Sequence, residues 1–263
     1  MPTKLTVTRT EELTPSLRRV WFRSDDLSAF AESRHTDRYV KLLFPQPGTT
    51  IPDDFDARAA RATWAPQDLP TIRTYTALFP DAAAGTLAID FVIHGDEGVA
   101  GPWAAGVGAG VTILANGPGG AYSPDPEADW HLLAGDESAV PAISAALAAL
   151  PADATGKCVV LVNSAEHEPS LEAPEGVGVH FIHRDGSERP LTAAVRALPW
   201  REGRVHAFVH GEGDDVIGGA ADLRAVIARA ADVGFTLVGD VDGVRDEHAR
   251  VLGAEADQEG EKH

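Results

Sequence analysis

Cysteine is all but missing: Cys158 is the one thiol in 263 residues. No disulfide within the chain and no thiolate-based metal site can form from it. It stands in the β-branched run KCVVLV (157–162) and reads as a small buried hydrophobe. Positive charge is also scarce, with 22 Lys and Arg against 40 Asp and Glu, a net charge of −18. A field of that sign repels nucleic-acid phosphates, which excludes nucleic acid as an expected partner. It repels anionic cofactors at long range too, so any phosphate site must be built from local donors. No run of about 18 apolar residues occurs and no apolar N-terminal segment reads as a signal peptide, so no membrane span is expected and a cytoplasmic location is.

Other chemistries are disfavoured by missing motifs. The sequence holds neither HExxH nor a GxSxG elbow, which speaks against a zinc protease and a serine hydrolase. His180 and His183 would face opposite sides of one strand, and His206 and His210 lie too far apart on another to chelate together. The run Gly106-Val107-Gly108-Ala109-Gly110 resembles part of a dinucleotide fingerprint but precedes a strand instead of following one, so it reads as a turn.

What is present divides into two grammars. Residues 4–9 and 16–23 read as antiparallel strands, the second with no clean polar face and so expected to be buried on both sides. Asp25-Asp26-Leu27 reads as a turn and helix cap, and Arg38–Phe44 as a third strand. Residues 45–70 carry five prolines and little periodicity, which predicts a long loop. Strands at 71–76, 86–94 and 111–115, with a turn at Asn116–Gly120, complete the pattern of a small antiparallel β-barrel. After Tyr122, Ser123-Pro124-Asp125-Pro126 reads as a linker. Strands at 131–134, 157–162, 179–182, 205–209 and 235–238 then alternate with helices at 138–150, 191–197 and 216–231. That alternation predicts a parallel sheet covered by helices. The expected fold is thus β plus α/β: a barrel domain at 1–122, an α/β nucleotide-binding domain at 123–252, and an acidic disordered tail at 253–263.

The stretch TIRTYTALFPDAAAGTLAIDFVIHGDEGVAGPWA (71–104) carries the most chemistry. Strand alternation puts Arg73 and Tyr75 on one face, a guanidinium beside an aromatic plane. The second strand runs into Gly95-Asp96-Glu97-Gly98 and a helix start near Gly101-Pro102-Trp103, where orphaned N–H groups favour a diphosphate. Together these features point to a flavin dinucleotide; an ordinary hairpin with a surface Arg and a core Tyr is the plainer alternative. The second element of interest is the turn Gly135-Asp136-Glu137-Ser138-Ala139-Val140-Pro141. It follows the first α/β strand and opens a nearly all-apolar helix, which sets it at the carboxyl edge of the sheet, where nucleotides bind. Ser138 is the expected helix cap, because that choice leaves Pro141 inside the first turn. An ordinary βα turn is again the plainer alternative.

These segments resemble, in order along nearly the whole chain, those of the siderophore-interacting proteins, FAD-dependent ferric-siderophore reductases of the ferredoxin-reductase-like superfamily. Leu17-Arg18-Arg19-Val20 and Tyr39-Val40-Lys41-Leu42 resemble early strands of that family. RTYT (73–76) and DFVIHGD (90–96) are similar to its flavin site, GDESAVPAI (135–143) to its nicotinamide-nucleotide turn, and HFIHRDG (180–186) to the strand and turn that follow. The resemblance implies FAD and either NADPH or NADH as cofactors and a ferric siderophore as the small-molecule partner; a monomer is expected. It implies catalytic roles for Tyr75, packed on the isoalloxazine, and Thr76, bonded near its reactive ring. Arg73 and the 98–103 turn, with Gly98, Ala100, Gly101 and Trp103, would hold the diphosphate, and Thr74, Val92 and His94 would also meet the flavin cofactor. Gly135, Asp136, Glu137, Ser138 and Ala139 would meet the nicotinamide nucleotide, and Lys41 would attract an anionic siderophore. No metal ligands are implied.

The chain departs from the family pattern at several points. Leu78 stands where an Arg is usual, Gly101 and Pro102 replace a hydroxyl and an Arg, and the Gly211–Asp215 and 234–246 segments lack the family's Tyr-Trp and basic residues. Three functions are therefore weighed: a ferric-siderophore reductase, a flavin reductase of the same fold with another acceptor, and a non-catalytic binder. For the nucleotide, Arg184 suits a 2′-phosphate, whereas Glu166 and Glu168 suit an unphosphorylated ribose.

Overall fold

A computed structural model describes residues 1–211 apart from 97, 185 and 187–189, together with the strand at 235–237. The helix expected at 216–231, the acidic tail and most of the 234–246 segment lie outside the described residues.

The chain opens with β1 (Thr3–Thr14) and β2 (Leu17–Arg23), paired antiparallel. The short α1 (Ser28–Ala31) follows, with Asp26 Oδ1 accepting from Ser28 N at 2.8 Å. Next come β3 (Tyr39–Phe44), α2 (Ala57–Thr63), β4 (Thr71–Thr76), β5 (Leu78–Asp81), β6 (Thr86–Val92), α3 (Ala100–Gly106) and β7 (Thr112–Gly119). The strands form one antiparallel sheet in the order β4-β3-β7-β1-β2-β6-β5. Its two edge strands, β4 and β5, are separated in the chain by Ala77 alone, so the sheet must curl until its edges meet. That closure makes it a barrel and leaves no long open edge.

The barrel interior follows from alternation. Val20 and Phe22 of β2, Val40, Leu42 and Phe44 of β3, and Leu87, Ile89 and Phe91 of β6 point inward and are buried. The helix α3 plugs one end: Trp103 lies 5.6 Å from Phe91 and 5.7 Å from Phe44, ring to ring. Strand β2 is only partly the doubly buried element its sequence predicts. Leu17 is buried against the second domain, but Arg19 and Trp21 on the same face are half-buried and Arg23 is exposed.

Four expectations are corrected here. The 45–70 segment is not structureless: Asp56 caps α2 through Ala59 N, and Phe55 and Trp64 pack with Leu43, Ile72 and Leu114 as a small core outside the barrel. No hairpin joins 71–76 to 86–94, the plainer reading of that stretch: β4 pairs with β3, β6 pairs with β2 and β5, and β6 ends at Val92. The turn expected at Asn116–Gly120 is mostly strand, because β7 runs on to Gly119 beside Tyr39. The fourth concerns the cap of the Gly135–Ala139 turn and is described with the site.

The second sheet is parallel and ordered β10-β9-β8-β11-β12, built from β8 (Trp130–Asp136), β9 (Gly156–Val162), β10 (Val177–His183), β11 (Val205–His210) and β12 (Phe235–Leu237). The helix α4 (Val140–Ala149) covers one face, meeting Leu133, Cys158, Val160, Val162 and Phe208. On the other face α5 (Pro190–Ala197) presents Leu191 and Val195 to Leu132, Ala134, Val159, Leu161, Ala207 and Val209. Both faces of the central strands are covered, which is why β8 and β9 read as near-continuous apolar runs. Cys158 is the buried hydrophobe expected, with burial pushing its thiol up to about 12. The chain winds from β8 outward to β10, then crosses back to place β11 on the other side of β8. The sheet's direction of winding therefore reverses between β8 and β11.

The domains share a packed junction. Leu13, Leu17 and Val92 of the barrel belong to the same apolar cluster as Ala139, Val140 and Ile143. The chain just before the linker is fastened as well: Asp37 accepts from Ala121 N and Tyr122 N, and Tyr122 O accepts from Thr36 N.

Candidate functional site

Alternation along β4 sorts its four motif residues onto two faces. Arg73 lies opposite Leu42 and Tyr75 opposite Val40, on the face that continues the barrel interior. Thr74 lies opposite Lys41 and Thr76 opposite Tyr39, on the other face. The Tyr75 ring is half-buried and braced by Phe91, with centroids 4.5 Å apart. Arg73 is exposed and donates only to the neighbouring Ile72 carbonyl, at 2.9 Å, with no acidic partner among the described residues. Lys41 is half-buried beside Thr74 and Asn116, likewise without an acidic partner among the described residues.

At the end of β6 the chain enters the glycine turn. Val92 turns toward the second domain, Ile93 N donates to Ser16 O at 2.7 Å, and His94 is exposed. Gly95 and Gly98 hold φ of +56° and +75°, which side-chain-bearing residues rarely adopt, and a Cβ at Gly98 would point into open space. Gly101 lies in the first turn of α3 and Ala100 is buried in the barrel core. Pro102 contributes no N–H, so that turn offers fewer donors than a helix start ordinarily would. Trp103 faces the barrel's aromatic core and holds α3 in place.

The second half of the site lies where β8 ends, at the reversal between β8 and β11, the position at which open α/β sheets bind nucleotides. Gly135 pairs with His210 across these strands. A Cβ at Gly135 would stand 2.3 Å from Ala139 Cβ and 2.5 Å from His210 O, so only glycine admits the turn so close to the sheet. Asp136, not Ser138, is the cap: its Oδ1 accepts from Ser138 N (2.9 Å), Ala139 N (3.3 Å) and Ser138 Oγ (2.6 Å). The physical reason is a single 3-10 turn, Glu137–Ala139, inserted before α4. It moves the start of the α-helix to Val140 and so places Pro141 in the first turn, where a missing N–H costs little. Glu137 is buried and accepts from Ser16 Oγ (2.9 Å) and Asn163 Nδ2 (3.2 Å). Both carboxylates of the motif are therefore spent inside the protein, and Ala139 is buried. Sequence reasoning missed Ser16 and Asn163. Asn163 directly follows β9 at the sheet's carboxyl edge, a position that could have flagged it; Ser16 has no comparable local signal.

Further along that edge, His183 Nε2 and Glu168 Oε1 are 2.8 Å apart, as are Ser164 Oγ and His167 Nδ1. Arg184 N donates to Val162 O at 3.0 Å, which keeps residue 184 beside the end of β9. Among the described residues no group of three or more His, Cys, Asp or Glu could hold a metal ion.

An antiparallel barrel docked on a parallel α/β sheet is the ferredoxin-reductase arrangement. The ferredoxin reductase of carbazole 1,9a-dioxygenase superposes with a TM-score of 0.62 at 14% identity, covering 90% of this chain and 68% of that one. More specific matches then cover each domain: the siderophore-interacting FAD-binding domain at residues 6–122 and the siderophore-interacting protein domain at 128–232. The chain belongs to the siderophore-interacting protein family. An uncharacterized Mycobacterium tuberculosis protein is 44% identical over 230 residues, spanning 80% of this chain and 79% of that one. The ferric vibriobactin reductase ViuB of Vibrio cholerae is 34% identical over 85% of this chain and 83% of its own. A siderophore utilization protein from T. fusca superposes with a TM-score of 0.75 at 31% identity, covering 91% of this chain and 92% of that one.

The residues present fit a flavin dinucleotide on structural grounds. Tyr75 offers a braced aromatic plane, Arg73 an exposed guanidinium, and Gly98 a turn with open space beside it.

Proposed function

We propose that the protein is an FAD-dependent NADPH or NADH oxidoreductase that reduces ferric siderophores. The observation that carries this reading is the docking of the RTYT strand's barrel onto the sheet that holds the GDESA turn, in a chain whose relative ViuB is a ferric vibriobactin reductase. The chemistry FAD supplies when bound is acceptance of a hydride and release of electrons one at a time, which suits a hydride donor and Fe(III). Siderophore oxygen donors are hard ligands that hold Fe(III) far better than Fe(II), so reduction frees the metal.

The chain's own residues have defined tasks in this reading. Tyr75, backed by Phe91, would pack against the isoalloxazine, and Thr76 would hydrogen-bond near its reactive edge. Arg73, Thr74 and the 98–103 turn would hold the diphosphate, with Val92 and His94 beside them. The Gly135–Ala139 turn would seat the nicotinamide nucleotide with backbone groups, since Asp136 and Glu137 are already engaged. Lys41, an unpaired cation among the described residues of a chain with net charge −18, would attract an anionic ferric siderophore.

A second reading, a flavin reductase with another acceptor, draws support from the departures from the family resemblance: no Tyr or Trp stands in residues 211–215 or 234–246, and Gly101 and Pro102 offer neither a hydroxyl nor a cation. Steady-state assays separate the two. FAD-loaded protein with NADPH or NADH, a ferric siderophore and a ferrous-specific chelator should yield the coloured Fe(II) complex. Turnover of quinones without Fe(II) release would favour the second reading.

A further inference from the structure

A chain of hydrogen bonds crosses the domain junction through one serine. Ser16 lies in the turn between β1 and β2 and is 5% exposed. Its amide donates to Thr14 Oγ1 (3.3 Å), its carbonyl accepts from Ile93 N (2.7 Å), and its hydroxyl donates to Glu137 Oε1 (2.9 Å). On the far side Asn163 holds Glu137 twice, Nδ2 to Oε2 at 3.2 Å and backbone N to Oε1 at 3.5 Å. Glu137 is 7% exposed, and no ion pair reaches it among the described residues. A buried carboxylate without a counter-charge depends on its hydrogen bonds, so its donors fix its place.

The two ends of this chain are the two cofactor elements. Ile93 is the residue from which the Gly95–Gly98 turn departs, and Glu137 is the centre of the Gly135–Ala139 turn. The apolar contacts around them, Leu13, Leu17 and Val92 with Val140 and Ile143, resist separation of the domains. Such contacts are non-directional and tolerate sliding, whereas a hydrogen bond to a buried carboxylate does not. We infer that Ser16 is a positioning residue: through Ile93 and Glu137 it holds the flavin-side and nucleotide-side turns in the register that hydride transfer needs. This rests on the reductase reading above, because register matters only if a hydride crosses between the domains.

The test compares wild-type protein with Ser16→Ala and with Ser16→Thr, which keeps the hydroxyl. FAD-loaded protein is mixed rapidly with NADPH under anaerobic conditions and the loss of flavin absorbance is timed. A displacement on the order of 1 Å costs up to about a hundredfold in such a step, so Ser16→Ala should slow bleaching at saturating NADPH by about tenfold or more. Half-saturation should move less than about twofold. Bleaching by dithionite, which needs no docked nucleotide, should be unchanged, and Ser16→Thr should recover most of the rate. Independently of turnover, spin labels at Ala83→Cys and Asp153→Cys on the FAD-free chain should give a narrow distance distribution that Ser16→Ala broadens. Should Ser16→Ala fold poorly, Asn163→Ala loosens Glu137 from the other side and is read in the same ways. An unchanged NADPH rate, an unchanged distance distribution, or an equal slowing with dithionite overturns the inference. Wild-type protein that neither NADPH nor NADH bleaches defeats the reductase reading instead, and the distance measurement still tests the latch; where only NADH bleaches the flavin, the rates are compared with NADH.

Discussion

Arg19 binds Asp90 through two hydrogen bonds, Nε to Oδ1 at 2.6 Å and Nη2 to Oδ2 at 2.8 Å. The exposed Phe79 lies over the guanidinium at 4.9 Å, with φ of +49° at its own backbone, and stacks on Trp21. Removing one member of such a pair strands the other: Arg19→Ala should cost about 3 kcal/mol in chemical unfolding. Replacing both members with apolar residues should cost far less. A second residue-scale test concerns His131 and His206, buried where the linker meets β8 and β11. Burial lowers both pKa values below the usual 6.5; His206 adds to the shift at His131, while Asp125 opposes it at both. Arg204 further lowers His206, whose Nδ1 accepts from Asp125 N at 3.0 Å, and the Tyr122 ring stacks on it. A folded-state pKa below the unfolded one means that the unfolded chain binds more protons in the window just below 6.5. Stability should therefore rise with pH through that window. Urea midpoints should be lower at mildly acidic than at neutral pH, and His206→Asn should flatten the dependence. At Gly135 the expected effect is steric: Gly135→Ala should destabilise by about 1–3 kcal/mol, measured by thermal or urea unfolding, because Ala139 and His210 leave no room.

At the scale of elements, the Asp136 cap makes a clear prediction. Asp136→Ala frees two amides at the 3-10 turn and should cost about 1 kcal/mol in unfolding, whereas Ser138→Ala, which removes no cap, should cost less. This cap also marks where sequence reading fails. Counting forward from a cap to Pro141 assumed one continuous α-helix, and a single 3-10 turn moved the helix start past that count. The α/β half was otherwise legible, because strands buried on both faces and an all-apolar helix announce themselves locally. The helix α2 did not: seven residues are too few for a periodic signal, and its stability comes from Phe55 and Trp64 packing on strands far away in sequence. Strand pairing was equally hidden, since β4 and β6 look like a hairpin but take β3 and β2 as partners. Within the site, Arg73 and Tyr75 share a face as alternation demands. Ser16 could not be read, because what distinguishes it is a contact with residue 137, not anything in its own neighbourhood.

For the molecule as a whole, topology and chemistry agree on one place. The barrel closes through Ala77 directly beyond the RTYT strand, and the parallel sheet reverses its winding directly at the GDESA turn. The apolar cluster shared by both domains, with the Ser16–Glu137 bond inside it, joins these two halves. The function proposed above puts a hydride donor on one half and an electron carrier on the other. The most direct measurement is the visible spectrum of the purified chain, supplied with FAD and kept free of oxygen, as NADPH and then NADH are added. The account predicts flavin bands that bleach with one or both nucleotides and return when a ferric siderophore is added. A colourless protein that neither retains nor rebinds FAD would contradict it.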